Sequence, residues 1–177
     1  YLALTVLRSD ISDDSRAFTM ILVMMLLIIV PSFMVVTHYP NMIYMVPITI
    51  LAMLLVTFFD TKLAIFVQTL TLIIISLAVP NSFQFFVIQF FVSLVAIFVL
   101  GRNTSRPRYF VTYLAVFVSY IVLKITVSLI FDGGLENIGW NDIGVLAMNA
   151  LFTMLTLPLS FVLERVFGFV TDMSLLE

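Results

Sequence analysis

Long apolar runs, separated by short polar segments, dominate the pattern along the chain. Each run is close to the ~20 residues that a membrane-spanning helix needs. Six such helices are predicted, at Ala17–Thr37, Met42–Phe59, Leu63–Val79, Phe83–Leu100, Tyr109–Phe131 and Ile143–Phe167. The run MMLLIIV at 24–30 does not alternate between apolar and polar residues, which argues against the strands of a transmembrane β-barrel.

Very short connections join the first four predicted spans. They cover residues 38–41, 60–62 and 80–82. Because loops of this length leave no room for a crossover, consecutive helices are expected to be antiparallel neighbours. The predicted fold is therefore all-α, a polytopic integral membrane protein in which six transmembrane helices form a bundle with short loops.

Composition supports a membrane environment and excludes several kinds of function. Hydrophobic residues make up 63% of the 177 residues and charged residues only 10%, whereas a soluble domain has about 45–50% apolar and about 25% charged residues. The net charge of −2 gives no reason to expect a nucleic-acid partner. The absence of cysteine excludes disulfides and thiolate metal sites.

The distribution of lysine and arginine predicts the orientation. Seven of the eight basic residues lie before the first span, in the second and fourth connections, or after the sixth span: Arg8, Arg16, Lys62, Arg102, Arg106, Arg108 and Arg165. The other three connections contain none. Because cytoplasmic loops carry the excess of basic residues, both ends of the sequence are predicted to be cytoplasmic. Arg102, Arg106 and Arg108 form a basic loop whose main role is then to set the topology.

Lys124 is the eighth basic residue and lies inside the fifth predicted span. It precedes the end of that span by seven residues, which is roughly 10 Å along a helix. A lysine at this depth either extends to the surface and pairs with an acid of the 132–142 loop (Asp132, Glu136 or Asp142) or takes part in sensing a ligand or signal. Both interpretations stay open at this point.

Other polar side chains in the spans predict contacts between helices. Gln68, Gln84, Gln89 and Asn149 have the amide groups that commonly hydrogen-bond between transmembrane helices. Prolines at 31, 47 and 158 are expected to kink their helices. No nucleophile–base pair, metal-ligand cluster or phosphate-binding loop is present in the sequence, so no catalytic or metal residue is predicted in it.

Charge returns in the closing stretch ERVFGFVTDMSLLE, residues 164–177. Glu164 and Arg165 end the last apolar run, and Gly168 has the properties of a helix stop or hinge. Thr171 and Asp172 are typical caps for a new helix. This pattern predicts a connector that begins at residues 168–177 and leads to a further domain.

This closing stretch resembles the junction after the last transmembrane helix in bacterial seven-transmembrane receptors with an intracellular HD hydrolase domain. The junction of that family typically reads LLERLFGxxTDxxLLEL, and residues 164–165, 167–168, 171–172 and 175–177 match it in type and spacing. The segment Asp60–Ala64, DTKLA, is similar to a family loop that often reads DPxLA, with Thr61 where proline is common. Asn149 also matches a position of the family's last span.

The resemblance implies a larger protein. It would have an extracytoplasmic domain, seven spans and a cytoplasmic HD phosphohydrolase that acts on cyclic di-AMP with two metal ions. Residues 1–16 would then be a cytoplasmic segment after an upstream span that ends with Tyr1–Leu7, and residues 17–167 would be a six-helix membrane domain. The resemblance further implies the bacterial cytoplasmic membrane and is compatible with a homodimer. It carries over no catalytic or metal residue and no cofactor to this sequence.

Two other functions fit a six-span protein of this length. A small-solute transporter subunit would have an outward-facing ligand pocket, which the 132–142 loop could cover. A structural membrane scaffold would need no pocket, and no specific motif supports it. The resemblance favours a membrane-anchoring and signal-transmitting domain of an HD phosphohydrolase.

Overall fold

The computed structural model describes residues 15–101, 106–131, 133–134 and 139–168, and helices account for nearly all of this part of the chain. In chain order the elements are α1 (Ser15–His38), a 3-10 helix (Pro40–Met45), α2 (Thr49–Phe58), α3 (Thr61–Ser76), α4 (Ser82–Leu100), α5 (Arg106–Phe131), α6 (Trp140–Thr153) and α7 (Thr156–Phe167). Within these ranges there is no β-strand. The all-α bundle predicted from the apolar runs is confirmed.

The six apolar runs are not all single helices of spanning length. Four helical segments are long and apolar enough to cross a membrane by themselves: Arg16–His38, Ser82–Leu100, Pro107–Phe131 and Asp142–Phe167. The other two, Met42–Phe58 and Thr61–Ser76, are shorter. At 1.5 Å per residue, the 16 residues of α3 extend about 24 Å, which is less than the ~30 Å hydrocarbon thickness.

The second and sixth runs are each interrupted near a proline, at two of the three prolines that were predicted to kink their helices. The second run divides at Val46–Ile48 into the 3-10 helix and α2. The sixth has a turn at Met154–Leu155 that separates α6 from α7. Proline explains both breaks, because Pro47 and Pro158 have no N–H to continue the helical ladder and their rings crowd the preceding turn. Pro31, in contrast, lies inside a continuous α1.

Helix α2 forms the centre of the bundle. All eight residues from Thr49 to Val56 are buried, as expected for a short helix that is apolar on every side. It packs against α1, α3, α4 and α7. The surrounding helices also contact one another, α1 with α3 and α7, α3 with α4, α4 with α5, and α5 with α6. The core therefore lies around α2, and the outer helices separate it from lipid.

The outer faces of the surrounding helices are apolar. Leu26, Met34, Phe98, Leu114 and Ile130 are examples of large hydrophobic side chains that are more than half exposed. Lipid tails accept such side chains, whereas the polar main chain is satisfied within the helices. Arg16, Lys62, Arg108 and Arg165 all lie at one end of the bundle, which is called the basic end below.

Candidate functional site

The break in the second span leaves a main-chain carbonyl without a helical donor. The Tyr44 carbonyl would bond to the N–H of residue 47 or 48 in a continued helix. Pro47 has no N–H, and the N–H of Ile48 instead donates to the Val46 carbonyl at 2.9 Å. An unpaired carbonyl is costly inside a membrane protein, so another group must bond to it.

The side chain of Asn149 provides that group. Its Nδ2 donates to the Tyr44 carbonyl at 2.7 Å and to the Val46 carbonyl at 3.0 Å. These bonds use both hydrogens of the amide, so the Tyr120 hydroxyl, 3.5 Å from Nδ2, is a close contact rather than a third bond. Asn149 is fully buried and lies nine residues from the start of α6, about 14 Å along the helix and near the middle of a bilayer.

Further hydrogen bonds surround Asn149. The Tyr120 hydroxyl on α5 donates to Oε1 of Gln89 on α4 at 2.6 Å. The Thr153 hydroxyl donates to the Asn149 main-chain carbonyl at 2.8 Å and lies 3.4 Å from its side-chain oxygen. We call this group, with the Tyr44 and Val46 carbonyls, the polar core. It connects the break of the second span to α4, α5 and α6.

Lys124 lies one helical turn from Tyr120 and contacts the same broken segment. Its Nζ is 5.0 Å from the centre of the Tyr44 ring, within the distance of a cation–π interaction. Tyr44 also packs against Phe85, with ring centres 5.7 Å apart. The half-buried side chains of Lys124 and Tyr44 are therefore in contact.

Three acids were predicted as partners of Lys124, and the structure describes the side-chain contacts of one of them. Asp132 and Glu136 lie outside the described residues. Asp142 accepts a hydrogen bond from the main-chain N–H of Gly139 at 3.0 Å, where it caps the start of α6. Whether Lys124 senses a ligand or only stabilises the bundle stays a prediction.

The four predicted polar residues of the spans do not form one cluster. Gln89 and Asn149 meet in the polar core. Gln68 is a separate contact, whose Nε2 donates to the Ser93 hydroxyl at 2.8 Å and joins α3 to α4. Gln84 is half-buried near the start of α4, outside both groups. The buried atoms Gln68 Oε1 and Gln89 Nε2 have no hydrogen-bond partner among the described residues.

At the basic end, a second hydrogen bond joins α2 to α5. The hydroxyls of Thr57 and Tyr109 are 2.7 Å apart. The start of α5 is therefore close to the end of the central helix. Helix α7, which carries the half-buried Glu164, also packs against the central helix.

The predicted topology and connector residues are only partly described. Arg108 and Arg165 are exposed at the basic end, and Arg106 begins α5. Gly168 ends α7 with φ 72°, in the left-handed region that favours glycine, and its N–H donates to the Glu164 carbonyl at 2.8 Å. Arg102, Thr171 and Asp172 lie outside the described residues.

Sequence reasoning missed the tyrosine of the polar core. Tyr120 was treated only as part of an apolar run, although a buried tyrosine usually finds a partner for its hydroxyl. The combination of Tyr120 with Gln89 and Asn149 in neighbouring spans was the available signal. Thr153, four residues after Asn149, was a second one.

The polar core has the chemistry of a structural contact between helices. Its groups are amides, hydroxyls and carbonyls, which are neutral at physiological pH. Among the described residues there is no group of three histidine, cysteine or acidic side chains that could hold a metal ion. This arrangement can fix the relative positions of four helices, and it provides no nucleophile or general base.

Comparisons with known proteins identify one family. Residues 1–171 match the sequence model of the family described as "7TM receptor with intracellular HD hydrolase". The match covers nearly the whole chain, including the polar core and Gly168. No curated protein and no solved structure matches the chain significantly.

Proposed function

Because the chain belongs to the family of seven-transmembrane receptors with an intracellular HD hydrolase, we propose that it anchors the hydrolase and transmits a signal to it. The chain is a multi-pass, receptor-type membrane domain linked to an HD hydrolase. The proposal adds the direction of information flow, from the bundle to the catalytic domain. The polar core is the observation that carries it, because it couples a broken span to the helix that leads to Gly168.

Residue positions support the cytoplasmic assignment of the basic end. The described basic residues outside the spans lie at this end, and cytoplasmic loops carry the excess of lysine and arginine. Gly168 is at the same end, so the connector at 168–177 would enter the cytoplasm. The location we propose on this basis and on the resemblance is the bacterial cytoplasmic membrane.

The transmission route follows the hydrogen bonds. A signal that displaces the broken segment at Tyr44–Val46 would also displace Asn149 in α6, because two short hydrogen bonds join them. Helix α6 continues through the turn at 154–155 into α7 and Gly168. Transmission requires two arrangements of the bundle that differ in their affinity for the signal.

The resemblance also specifies the chemistry of the attached domain. The substrate proposed for it is cyclic di-AMP, and the two metal ions would be bound by the HD domain, outside residues 1–177. An extracytoplasmic domain and a homodimer remain predictions on the same basis. A solute-transport subunit has less support, because most groups of the polar core bond to one another rather than to an open pocket.

The test compares two changes, alone and together, in the full-length protein. Asn149→Leu removes the bonds to the broken segment, and insertion of Gly-Ser after Gly168 decouples the bundle from the hydrolase. Cyclic di-AMP hydrolysis is measured in membranes at matched protein levels. We expect Asn149→Leu to change the rate in the continuous protein and to have no effect when the insertion is present.

A control insertion of Gly-Ser between residues 103 and 104 lengthens the connection between α4 and α5. It should leave the effect of Asn149→Leu intact. The proposal is wrong if Asn149→Leu has the same effect with and without the insertion after Gly168, since the change would then act without transmission. It is also wrong if Asn149→Leu leaves hydrolysis unchanged in the continuous protein.

A further inference from the structure

A cavity with apolar walls lies beside the break in the second span. It has a volume of about 320 Å³ and lies between α1, the 3-10 helix and α6. Its walls present only apolar atoms and include Pro31, Val35, Met45, Val46 and Phe152. We propose that this cavity binds one acyl chain of a phospholipid from the leaflet opposite the basic end. Such binding does not depend on signal transmission, so it goes beyond the proposed function.

The cavity extends over about one leaflet. Pro31 and Tyr39 both line it and are eight residues apart, which is about 12 Å along a helix. At the inner end, the carbonyl of Val46 is bonded to Asn149, near the middle of the bilayer. At the outer end, Tyr39 follows the last residue of α1, opposite the basic end. Half of the ~30 Å hydrocarbon thickness is ~15 Å, so the cavity has the length of one acyl chain that lies parallel to α1.

The walls and the width of the cavity favour a hydrocarbon chain over other occupants. Apolar cavities stay dry and exclude polar solutes. A further helix is about 10–12 Å across; it could cover the opening, but it is too wide to reach Val46, which is only 7% exposed. A cavity of about 150 Å³ holds one benzene molecule, so a volume of about 320 Å³ has room for about 12 carbon atoms of a narrow chain.

The cavity is accessible from the lipid phase. Pro31 is exposed and lies inside a continuous α1, seven residues from its end at His38, which is about 10 Å along the helix. A side chain exposed at that depth faces lipid tails rather than water. The molecules that can enter the cavity from this side are therefore those dissolved in the bilayer.

The outer end of the cavity suits the polar part of a phospholipid. Tyr39 is 63% exposed there, and its ring centre is 6.4 Å from that of the exposed His38. Tyrosine is enriched at the membrane–water interface because its ring is apolar and its hydroxyl bonds to polar groups. The Tyr39 hydroxyl can therefore donate to the ester or phosphate oxygens of the lipid whose chain fills the cavity.

An acyl chain in the cavity would pack against the break itself. Met42 and Met45 both line the cavity and are three residues apart, which is one turn of the 3-10 helix. Methionine side chains adapt to irregular apolar partners. The side chain of Val46 lines the cavity as well, while its carbonyl accepts the hydrogen bond from Asn149. The bound chain would therefore contact the same residue that the polar core holds.

Photolabelling of the full-length protein tests this occupant. The protein is reconstituted in phosphatidylethanolamine vesicles that contain a fraction of the same lipid with a diazirine on one acyl chain. After irradiation, mass spectrometry of peptides locates the labelled residues. Met45 and Phe152 are the two cavity residues to be scored. Phe33, which is 39% exposed and about 160° from Val35 around α1, reports on bulk lipid, and the fully buried Leu51 gives the background.

Val35→Trp fills the cavity, and Leu26→Trp is the matched control, because it adds the same side chain on the opposite, exposed face of α1. We expect label at the two cavity residues, above the background, in the parent protein and in Leu26→Trp. In Val35→Trp this label should fall to the background, whereas label at Phe33 should stay unchanged. Met42→Trp, also in the cavity wall, replaces Val35→Trp if that variant does not insert at the parent level.

Two results would overturn the proposal. If the two cavity residues stay at the background while Phe33 is labelled, lipid remains outside, as when another helix or a second copy of the chain covers the opening. If label at the two cavity residues persists in Val35→Trp, lipid reaches them by another route. The readout needs no hydrolase activity, so its failure is distinguishable from a failure of signal transmission.

Discussion

Replacing Asn149 by leucine tests the energetic role of the polar core. Leucine has the same branching as asparagine but no donor, so the Tyr44 carbonyl loses its hydrogen bond, while the Val46 carbonyl keeps the one from Ile48. A buried acceptor without a partner costs about 1–3 kcal/mol. The lost bond to Val46 adds about 0.6 kcal/mol, the average for a hydrogen bond between transmembrane helices.

The expected loss for Asn149→Leu is therefore about 1.6–3.6 kcal/mol, which corresponds to a shift of about 15- to 400-fold in the unfolding equilibrium. Equilibrium unfolding of the purified chain in mixed detergent–SDS micelles measures it. Gln68→Leu is the matched control, because it removes one bond to Ser93 and also an Oε1 that has no partner among the described residues. That variant should lose no more than about 0.6 kcal/mol.

The difference in unfolding free energy between these two variants measures the contribution of the capped Tyr44 carbonyl. Both replace a fully buried amide in a span by leucine, and they differ in whether a broken main chain depends on the amide. If Asn149→Leu costs no more than Gln68→Leu, the capping of the Tyr44 carbonyl does not contribute to stability. This result would refute the conclusion that Asn149 stabilises the broken second span.

Three further predictions concern single side chains in the same unfolding assay. Tyr120→Phe removes the bond to its glutamine partner and should cost about 1–2 kcal/mol, whereas Tyr113→Phe removes a buried hydroxyl without a described partner and should be neutral or stabilising; equal losses would contradict this. Lys124→Met should cost about 0.5–2 kcal/mol through the lost cation–π contact, and an unchanged midpoint would show that the contact contributes nothing. Gly168→Ala should cost about 1 kcal/mol because of its positive φ, whereas Gly144→Ala, inside α6 with open space around it, should gain up to about 1 kcal/mol; the same sign for both would be inconsistent with this explanation.

The sequence was sufficient to predict where the apolar helices lie, because the runs are long and the bilayer restricts the possible structures. The sequence also predicted a kink at Pro47, but it did not predict that the helix would divide there into two helices. The change from one helix to a 3-10 helix and α2 depends on whether another group can bond to the freed carbonyls. That group is Asn149, 105 residues after Tyr44, and a local pattern contains no information on such a pairing.

The candidate site was predicted less completely, for a related reason. Glutamine and asparagine in a span are visible as polar residues, and Gln89 and Asn149 were chosen on that basis. Whether two of them meet depends on the rotation of each helix about its axis. Gln84, five residues from Gln89, faces elsewhere as a result, and Tyr120 joins Gln89 because α4 and α5 pack along their length.

The central helix α2 connects the break in the second span to the basic end of the bundle. At the break, the main chain just before α2 is bonded to α6 through Asn149. At the basic end, Thr57 of α2 is bonded to Tyr109 of α5. Between these points α2 is buried on every side, so any movement of it would change its packing against the surrounding helices. In the proposed transmission route, a displacement of α6 at the middle of the membrane would change the contact at Tyr109, at the end of the bundle where the predicted connector to the hydrolase begins.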